Sequence, residues 1–239
     1  MDAKARRRRR RTPDEGLVEL VDAATAVLSR KSVARAQMSD VAAEMGVSAG
    51  NLYNYVESKD VLLPLVLRRA LDGELPDAGA LPIPANPRHE TIAWLDRRLD
   101  WTSDFPVMET ALARRRPADL AQEVGDIAVE LYDVLVRVRP VVAVLERSGG
   151  DIPELAAILL RVRGELFDRF DRYAELRRPE LRELPDLEVA FRLLIEATNY
   201  MARRRVEDPQ APAAPEPVVR ESVRALAIHL LLPDKEVRK

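Results

Sequence analysis

The sequence contains no cysteine, which excludes disulfide bonds, thiolate catalysis and metal sites built on cysteine. Glycine (9 residues) and aromatic residues (5%) are scarce, and the alternating Val, Ile, Thr and Tyr pattern of β-strands is missing. No run of about 18 apolar residues occurs, and the N-terminal segment lacks the apolar stretch of a signal peptide. These absences predict an all-α protein of the cytoplasm with no membrane partner.

Charged residues are abundant instead. They make up 33% of the 239 residues, against about 25% in an average soluble domain. Apolar residues supply 47%, enough for a substantial core. This combination is typical of amphipathic helices that turn a charged face to water.

Positive charge is concentrated near the N-terminus. Without six consecutive arginines the formal net charge of −2 would be −8, so the basic charge lies at one end of an acidic chain. Such a run is compatible with a disordered, solubilising arm over residues 1–12 and with an arm that binds a polyanion. The arginines of this arm are Arg6, Arg7, Arg8, Arg9, Arg10 and Arg11.

Residues 13–72 have the periodicity of four helices. The apolar spacing predicts a first helix over residues 13–30 and a second over 38–45, which Gly46 ends in a left-handed conformation. A third, short helix follows Ser48 and carries Tyr53, Asn54 and Tyr55. A fourth covers residues 58–72, where Pro64 predicts a bend. Two short helices joined by a turn predict a helix-turn-helix domain over residues 13–57.

The stretch VAAEMGVSAGNLYNYVESKDVLL resembles the N-terminal domain of the tetracycline-repressor (TetR) family of transcription regulators, over residues 17 to about 71. The matching positions are Val41, Ala42, Gly46, Val47, Ser48, Gly50, Leu52, Tyr53, Ser58 and Lys59. Four positions depart from the pattern, since Gln37 replaces a small hydroxyl residue, Asn51 a threonine, Tyr55 a frequent histidine and Val56 a frequent phenylalanine.

The resemblance implies double-stranded operator DNA as a partner. The residues expected at this DNA, besides the arm, are Ser39, Ser48, Ala49, Gly50, Asn51, Tyr53, Asn54, Tyr55 and Lys59. Their chemistry agrees, because an asparagine amide can pair with adenine and a tyrosine can contact a phosphate or a thymine methyl group. Lys59 opposes the helix dipole in a first helical turn, and a nearby phosphate would reverse the sign of that effect.

Beyond residue 57 we expect a helical body to residue 239. The periods predict helices near 89–104, 106–116, 118–147, 152–177, 186–205 and 216–231, and Pro140 kinks or splits the longest. The resemblance implies a cavity in the body for a small, largely apolar effector, although ordinary core packing explains the same large side chains. The candidates are Trp94, Trp101, Phe105, Met108, Glu130, Tyr132, Phe167 and Phe170.

The last two helices are the expected dimer interface, again by resemblance, with burial inside one subunit as the competing use. The candidate residues are Phe191, Leu194, Ile195, Thr198, Val219, Val223, Leu226 and Leu230.

The sequence therefore predicts a homodimeric, effector-responsive repressor of a pseudo-palindromic operator, without cofactor, metal or enzymatic activity. No catalytic constellation is recognisable, since the two histidines are far apart and no glycine-rich phosphate loop occurs. The alternative is an all-α small-molecule-binding protein or enzyme whose helix-turn-helix domain, here called the head, has lost DNA recognition.

Deletion of residues 1–11 should weaken binding to all DNA sequences alike, because arginines that contact phosphates carry no sequence information. The slope of log affinity against log salt should become shallower by up to about 0.9 for each lost phosphate contact. Fluorescence anisotropy over a salt series measures both quantities. An unchanged affinity and slope would leave the arm as a solubilising tail.

Overall fold

The computed structural model describes residues 12–99 and 104–233, apart from the side chain of Ala78. The predicted arginine arm and Trp101 lie outside the described residues. Within those ranges all elements are helical, apart from one isolated β-bridge between Val56 and Ile83. The predicted all-α class is confirmed. In the same ranges no helix combines the length and apolar character needed to span a membrane.

The described chain forms eleven α-helices. They are α1 Pro13–Arg30, α2 Met38–Met45, α3 Ala49–Leu52, α4 Leu62–Asp72, α5 Arg88–Arg98, α6 Pro106–Ala113, α7 Leu120–Arg137, α8 Arg139–Ser148, α9 Pro153–Arg177, α10 Leu187–Asn199 and α11 Glu216–Leu231. Short 3₁₀ turns cover Lys59–Val61 and Ala78–Ala80, and a π-helical turn, Tyr200–Arg204, continues α10.

The first two helices have the predicted bounds because their ends are capped. Thr12 accepts a hydrogen bond from the Glu15 amide at 3.2 Å, and the Glu15 carboxylate accepts one from the Thr12 amide at 2.9 Å. The Asp40 carboxylate likewise accepts from the Gln37 amide at 2.9 Å. Gly46 ends α2 at φ +67°, as its position in the sequence predicted.

Two prolines have different outcomes. Pro140 lies at the start of α8, so the predicted helix over residues 118–147 is split in two, as expected for a residue without an amide hydrogen. Pro64 lies in the first turn of α4, which begins at Leu62 directly after the 3₁₀ turn. In the first turn of a helix the missing amide hydrogen costs little, so Pro64 does not interrupt α4, and the bend stays a prediction.

The described residues form two compact units. One contains the residues up to Leu95 together with Pro140–Ala156, and the other contains Asp96–Arg139 with the residues from Ala157 onward. This division differs from the predicted boundary after residue 57, because α4 and parts of α5 and α8 pack with the helix-turn-helix. In the first unit the buried Ser148 hydroxyl accepts a hydrogen bond from the Val33 amide at 3.1 Å.

The core of the second unit includes a fully buried arginine. Arg177 on α9 is 0% exposed, and its Nε donates to Glu123 Oε1 on α7 at 2.7 Å. Its Nη2 donates to the carbonyl of Ala111 at 2.9 Å, and its Nη1 donates to that of Arg114 at 3.1 Å. The guanidinium therefore joins α7 and α9 and satisfies carbonyls at the end of α6.

A tyrosine completes this buried cluster. The Tyr173 hydroxyl donates to Glu123 Oε1 at 3.0 Å, while the ring packs on Phe191 with centroids 6.1 Å apart. Burial, and then the charge of Glu123, raise the pKa of Tyr173 well above its usual value. The raised pKa favours the neutral phenol, which keeps its proton for the hydrogen bond to Glu123.

Arg177→Met should lower the free energy of unfolding by about 3–5 kcal/mol, because the substitution leaves the α6 carbonyls without their donor and the mostly buried Glu123 carboxylate without its counter-charge, with only the Tyr173 hydroxyl as a donor. Arg178→Met is the matched control, since Arg178 and its partner Glu175 are both exposed and solvent screens their ion pair. Chemical denaturation followed by circular dichroism measures the difference. Equal effects of the two substitutions would contradict this role for Arg177.

Candidate functional site

The helix-turn-helix is built on three buried apolar side chains. Val41 of α2, Leu52 of α3 and Val56 just beyond α3 are each 0% exposed. In the turn, the Val47 amide donates to the Ala42 carbonyl at 2.9 Å. The turn thereby fixes the angle between the two helices, and the polar positions of α3 are left outside.

The predicted DNA-contacting residues differ in their exposure. Six are exposed, namely Ser39, Ser48, Gly50, Asn51, Tyr53 and Asn54, whereas Ala49, Tyr55 and Lys59 are partly buried. The side chain of Tyr53 is 50% exposed although tyrosine is a large, partly apolar residue. An exposed tyrosine flanked by two exposed asparagines presents both stacking area and hydrogen-bonding groups to a ligand.

Helix α3 is shorter than the sequence suggested. It ends at Leu52, and residues 53–55 form a turn in which the Asn54 amide donates to Asn51 and the Tyr55 amide to Leu52, at 3.3 and 2.9 Å. The prediction that Tyr53, Asn54 and Tyr55 lie on helix three is wrong. We refer to residues 53–55 as the reading turn.

Tyr55 is directed at α1 instead of at the exposed face. A Cβ atom added to Gly16 would lie 2.1 Å from the Tyr55 hydroxyl oxygen, so the phenol occupies the space above this glycine. The predicted role of Tyr55 in contacting DNA is corrected to packing. The sequence signal was available, because a glycine inside an amphipathic helix is often retained where another side chain packs closely.

The cations around α2 are mostly engaged. Lys59 Nζ donates to the Ala34 carbonyl at 3.2 Å, and Lys31 Nζ contacts the Asp40 carboxylate at 2.7 Å. The hydrogen bond from Lys31 holds the pKa of Asp40 below its usual value. Arg30 pairs with Glu44. Arg35 is exposed in the turn before α2 and makes no side-chain hydrogen bond or ion pair among the described residues. It was not among the predicted DNA-contacting residues.

Four of the predicted effector residues are buried in the second unit. Phe105, Met108, Tyr132 and Phe170 are at most 2% exposed, which agrees with ordinary core packing, the competing use of these side chains. Three cavities of about 410, 430 and 630 Å³ lie in that unit, and none of these three is lined by a predicted effector residue. A role of these four side chains toward an effector stays a prediction.

Two further aromatic candidates lie against arginines. The guanidinium of Arg68 lies 4.7 Å from the ring centroid of Trp94, in the first unit. The ring centroid of Phe167 lies 3.4 Å from the guanidinium of Arg192 and 5.3 Å from that of Arg163. Neither ring forms part of the three cavities.

Glu130 caps a helix. Its carboxylate accepts from the Val107 amide at 2.7 Å and from the Met108 amide at 2.9 Å, at the N-terminus of α6. Burial raises the pKa of Glu130, although the two amide hydrogen bonds act in the opposite direction. The predicted role as a polar anchor for an effector is therefore replaced by a capping role.

The predicted dimer residues are mostly buried within the chain. Phe191, Leu194, Ile195, Thr198, Val219 and Val223 are at most 4% exposed, and Leu230 is half-buried. Their assignment to the interface is corrected to the competing use, which is packing within one subunit. Leu226 differs from them, because it is 44% exposed. The outward faces of α10 and α11 carry other apolar side chains, namely Val189, Leu193 and Val218, with exposures of 53, 62 and 54%.

No group of three or more histidine, aspartate or glutamate side chains in the described part of the chain is arranged to hold a metal ion. The geometry that distinguishes this chain is the helix-turn-helix and its exposed reading turn.

Comparison of whole folds finds helical regulators. The ketosteroid transcriptional regulator KstR2 of Mycobacterium tuberculosis is 15% identical and covers 92% of this chain and 96% of its own, with a TM-score of 0.51. FadR, the fatty acid degradation regulator from Bacillus halodurans, is 14% identical and covers 92% of this chain and 97% of its own, with a TM-score of 0.43. SmeT in complex with triclosan is 16% identical and covers 92% of this chain and 93% of its own, with a TM-score of 0.46. The similarity to KstR2 shows a shared fold.

Sequence comparison is more specific for the head. No curated protein sequence matches the chain significantly. Residues 20–66 match the family model of the bacterial regulatory proteins of the tetR family. This segment runs from the middle of α1 through α2, α3 and the reading turn into α4. The N-terminal domain of the chain is therefore similar to the bacterial regulatory proteins of the tetR family.

Proposed function

We propose that the chain is a transcriptional repressor that binds operator DNA through α2, α3 and the reading turn, and that a small molecule releases it. The observation that carries the proposal is the helix-turn-helix itself. Buried Leu52 and Val56 lie beneath an exposed row of Asn51, Tyr53 and Asn54, within the segment that matches the family.

The chemistry of this row suits the major groove. The amides of Asn51 and Asn54 each offer a donor and an acceptor, which matches the N6 and N7 edge of adenine. The Tyr53 ring can contact a thymine methyl group, and its hydroxyl can bond a phosphate. Exposed Arg35, which has no partner in the described chain, adds a phosphate contact beside α2.

We further infer a homodimer with one head on each half-site of a pseudo-palindromic operator. A dimer would place its two heads about 34–36 Å apart to reach successive major grooves. The exposed apolar faces of α10 and α11, with Leu193 and Leu226 at 62% and 44% exposure, support this assembly. Apolar side chains of this size are stabilised when a second copy removes them from water.

The effector would bind in the second unit. A cavity of about 410 Å³ lies between α6 and the start of α7, within the size range of small-molecule sites. Its walls combine apolar groups such as Pro106, Val107 and Ala111 with polar and charged residues, namely Thr110, Gln122, Arg114, Asp119, Glu123 and Asp126. This mixture suits a compact ligand that carries both apolar and polar or charged groups.

Selection of bound sequences from a random duplex pool tests DNA binding and operator symmetry together. Compounds that raise the melting temperature of the protein would then be added to the selected operator complex. A pool without enrichment would remove the proposed function, and enriched DNA that no stabilising compound releases would remove only the effector.

The double substitution Tyr53→Ala with Asn54→Ala should reduce operator affinity to that of a scrambled duplex, since each base contact is worth about 1–3 kcal/mol. Both side chains are exposed, so the fold should be retained. Asn86→Ala is the control, because Asn86 is exposed and makes no side-chain contact recorded among the described residues. Competition binding measures the affinities, and unchanged specificity would exclude the reading turn from DNA recognition.

Leu193→Glu with Leu226→Glu should produce monomers, because unpaired carboxylates cannot be buried in an apolar interface without a cost of several kcal/mol. Leu160→Glu on α9 is the matched control, since Leu160 is also exposed, at 71%. Sedimentation velocity distinguishes the states. A folded double variant that stays dimeric would place the interface elsewhere.

A further inference from the structure

The proline-rich segment at residues 76–87 is attached to the end of the reading turn. The Ile83 amide donates to the Tyr55 carbonyl at 2.8 Å, and the Glu57 amide donates to the Ile83 carbonyl at 3.0 Å. These two hydrogen bonds form the parallel bridge between Val56 and Ile83. We call residues 76–87 the strap. Its proline content is typical of a loop.

Further contacts continue the attachment. The Ile83 side chain is 8% exposed although it lies between two exposed prolines, and Val56 opposite is 0% exposed. The Glu57 carboxylate also accepts a hydrogen bond from the Ala85 amide at 3.4 Å. The strap is therefore held by backbone pairing and by burial of one isoleucine.

The reading turn needs such a support because α3 cannot provide it. Helix α3 has four residues and ends before Tyr53, so Tyr53 and Asn54 lack the regular helical hydrogen bonds that would fix their backbone. On its N-terminal side the turn is anchored to Asn51 and Leu52. On its C-terminal side the Val56 amide donates to the Leu52 carbonyl at 3.1 Å, and the Tyr55 carbonyl accepts the hydrogen bond from Ile83 at 2.8 Å. The bond from Ile83 is the one that ties the turn to a segment outside the helix-turn-helix.

The sequence of the strap favours a fixed bridge. Pro82 and Pro84 flank Ile83, so the Ile83 amide is the one hydrogen-bond donor of the three backbone units. Both prolines also restrict the backbone of the unfolded chain, which lowers the entropy lost when the strap is ordered. A short segment can then hold the reading turn with two backbone hydrogen bonds.

We propose that Ile83 is a positioning residue for DNA recognition. By holding the Tyr55 carbonyl and the Glu57 amide, Ile83 fixes the direction in which Tyr53 and Asn54 leave the surface. The inference rests on the proposed function, and it assigns sequence specificity in part to a residue that does not contact DNA. Loss of the bridge should reduce discrimination between operator and unrelated DNA, while phosphate contacts, which are independent of the reading turn, keep the general affinity.

The test compares two proline substitutions within the strap. Ile83→Pro removes the amide hydrogen that Tyr55 accepts, whereas Asn86→Pro places a proline where the amide makes no recorded hydrogen bond. Affinities of the full chain are measured at one salt concentration for the selected operator and for a scrambled duplex of equal length. For Ile83→Pro the ratio of the two affinities should fall by about tenfold or more, the loss expected for a displaced base contact. The affinity for the scrambled duplex should change by less than about twofold, since phosphate contacts are retained.

Ile83→Ala is the second variant, for the case in which Ile83→Pro does not fold. It keeps the amide but removes most of the buried side chain, and it should lower the affinity ratio by a smaller factor. Asn86→Pro should leave the ratio unchanged. A folded Ile83→Pro protein with the wild-type ratio would overturn the proposal, as would a wild-type ratio for Ile83→Ala if the proline variant is unfolded.

Amide hydrogen exchange separates this inference from the proposed function. In the Ile83 variants the Glu57 amide should exchange faster, while amides in the middle of α1 keep their protection. If the wild-type protein shows no sequence preference, the proposed function fails, and exchange at Glu57 still decides whether Ile83 holds the turn. Unchanged Glu57 exchange in a folded Ile83→Pro protein would show that the bridge does not restrain this segment.

Discussion

The shortness of α3 is the constraint on which the DNA-reading surface depends. A single helical turn of four residues is unstable by itself, because its few hydrogen bonds do not offset the entropy of ordering the backbone. The surroundings must therefore impose the geometry. Buried Leu52 and Val56 hold α3 from below, Tyr55 packs over Gly16, and Ile83 binds the turn that follows. Contacts from α1 and the strap thus supply an order that the helix lacks.

The buried polar groups of the second unit also depend on their surroundings, and the free energies involved are larger. Arg177 could not remain buried as an isolated cation, since desolvation of a charge costs several kcal/mol. Glu123 supplies the counter-charge, and the carbonyls at the end of α6 accept the remaining hydrogen atoms. Three helices are thereby fixed in one arrangement, because displacement of any one of them would leave a buried group unpaired.

The sequence predicted the elements well where the signal is local. The apolar period and the caps of α1, and the glycine that ends α2, depend on residues a few positions apart. The strap gave no such signal, because a bridge of one residue pair has no periodicity and joins segments about 27 residues apart in the chain. The match between the head and its family likewise identifies α2 and α3, but it does not extend to Ile83.

The dimer assignment failed for a different physical reason. Helix α10 has apolar side chains on two faces, so its periodicity does not state which face is buried within the subunit. Phe191 and Leu194 pack inside, and Val189 and Leu193 remain outside. The aromatic effector residues show the same ambiguity, since a large apolar side chain that lines a cavity and one that fills a core have identical sequence patterns.

The largest concentration of positive charge and the reading turn lie in separate parts of the chain. Around α2, Lys31 and Arg30 are paired with carboxylates, so the described head has little free positive charge besides Arg35. The six arginines before Thr12 carry the largest concentration of positive charge in the sequence. In the proposed complex the arm would then supply the salt-dependent affinity that every DNA sequence shares, and the reading turn would supply discrimination. Because these two contributions come from different residues, a change in the strap can alter specificity while the general attraction to DNA is retained.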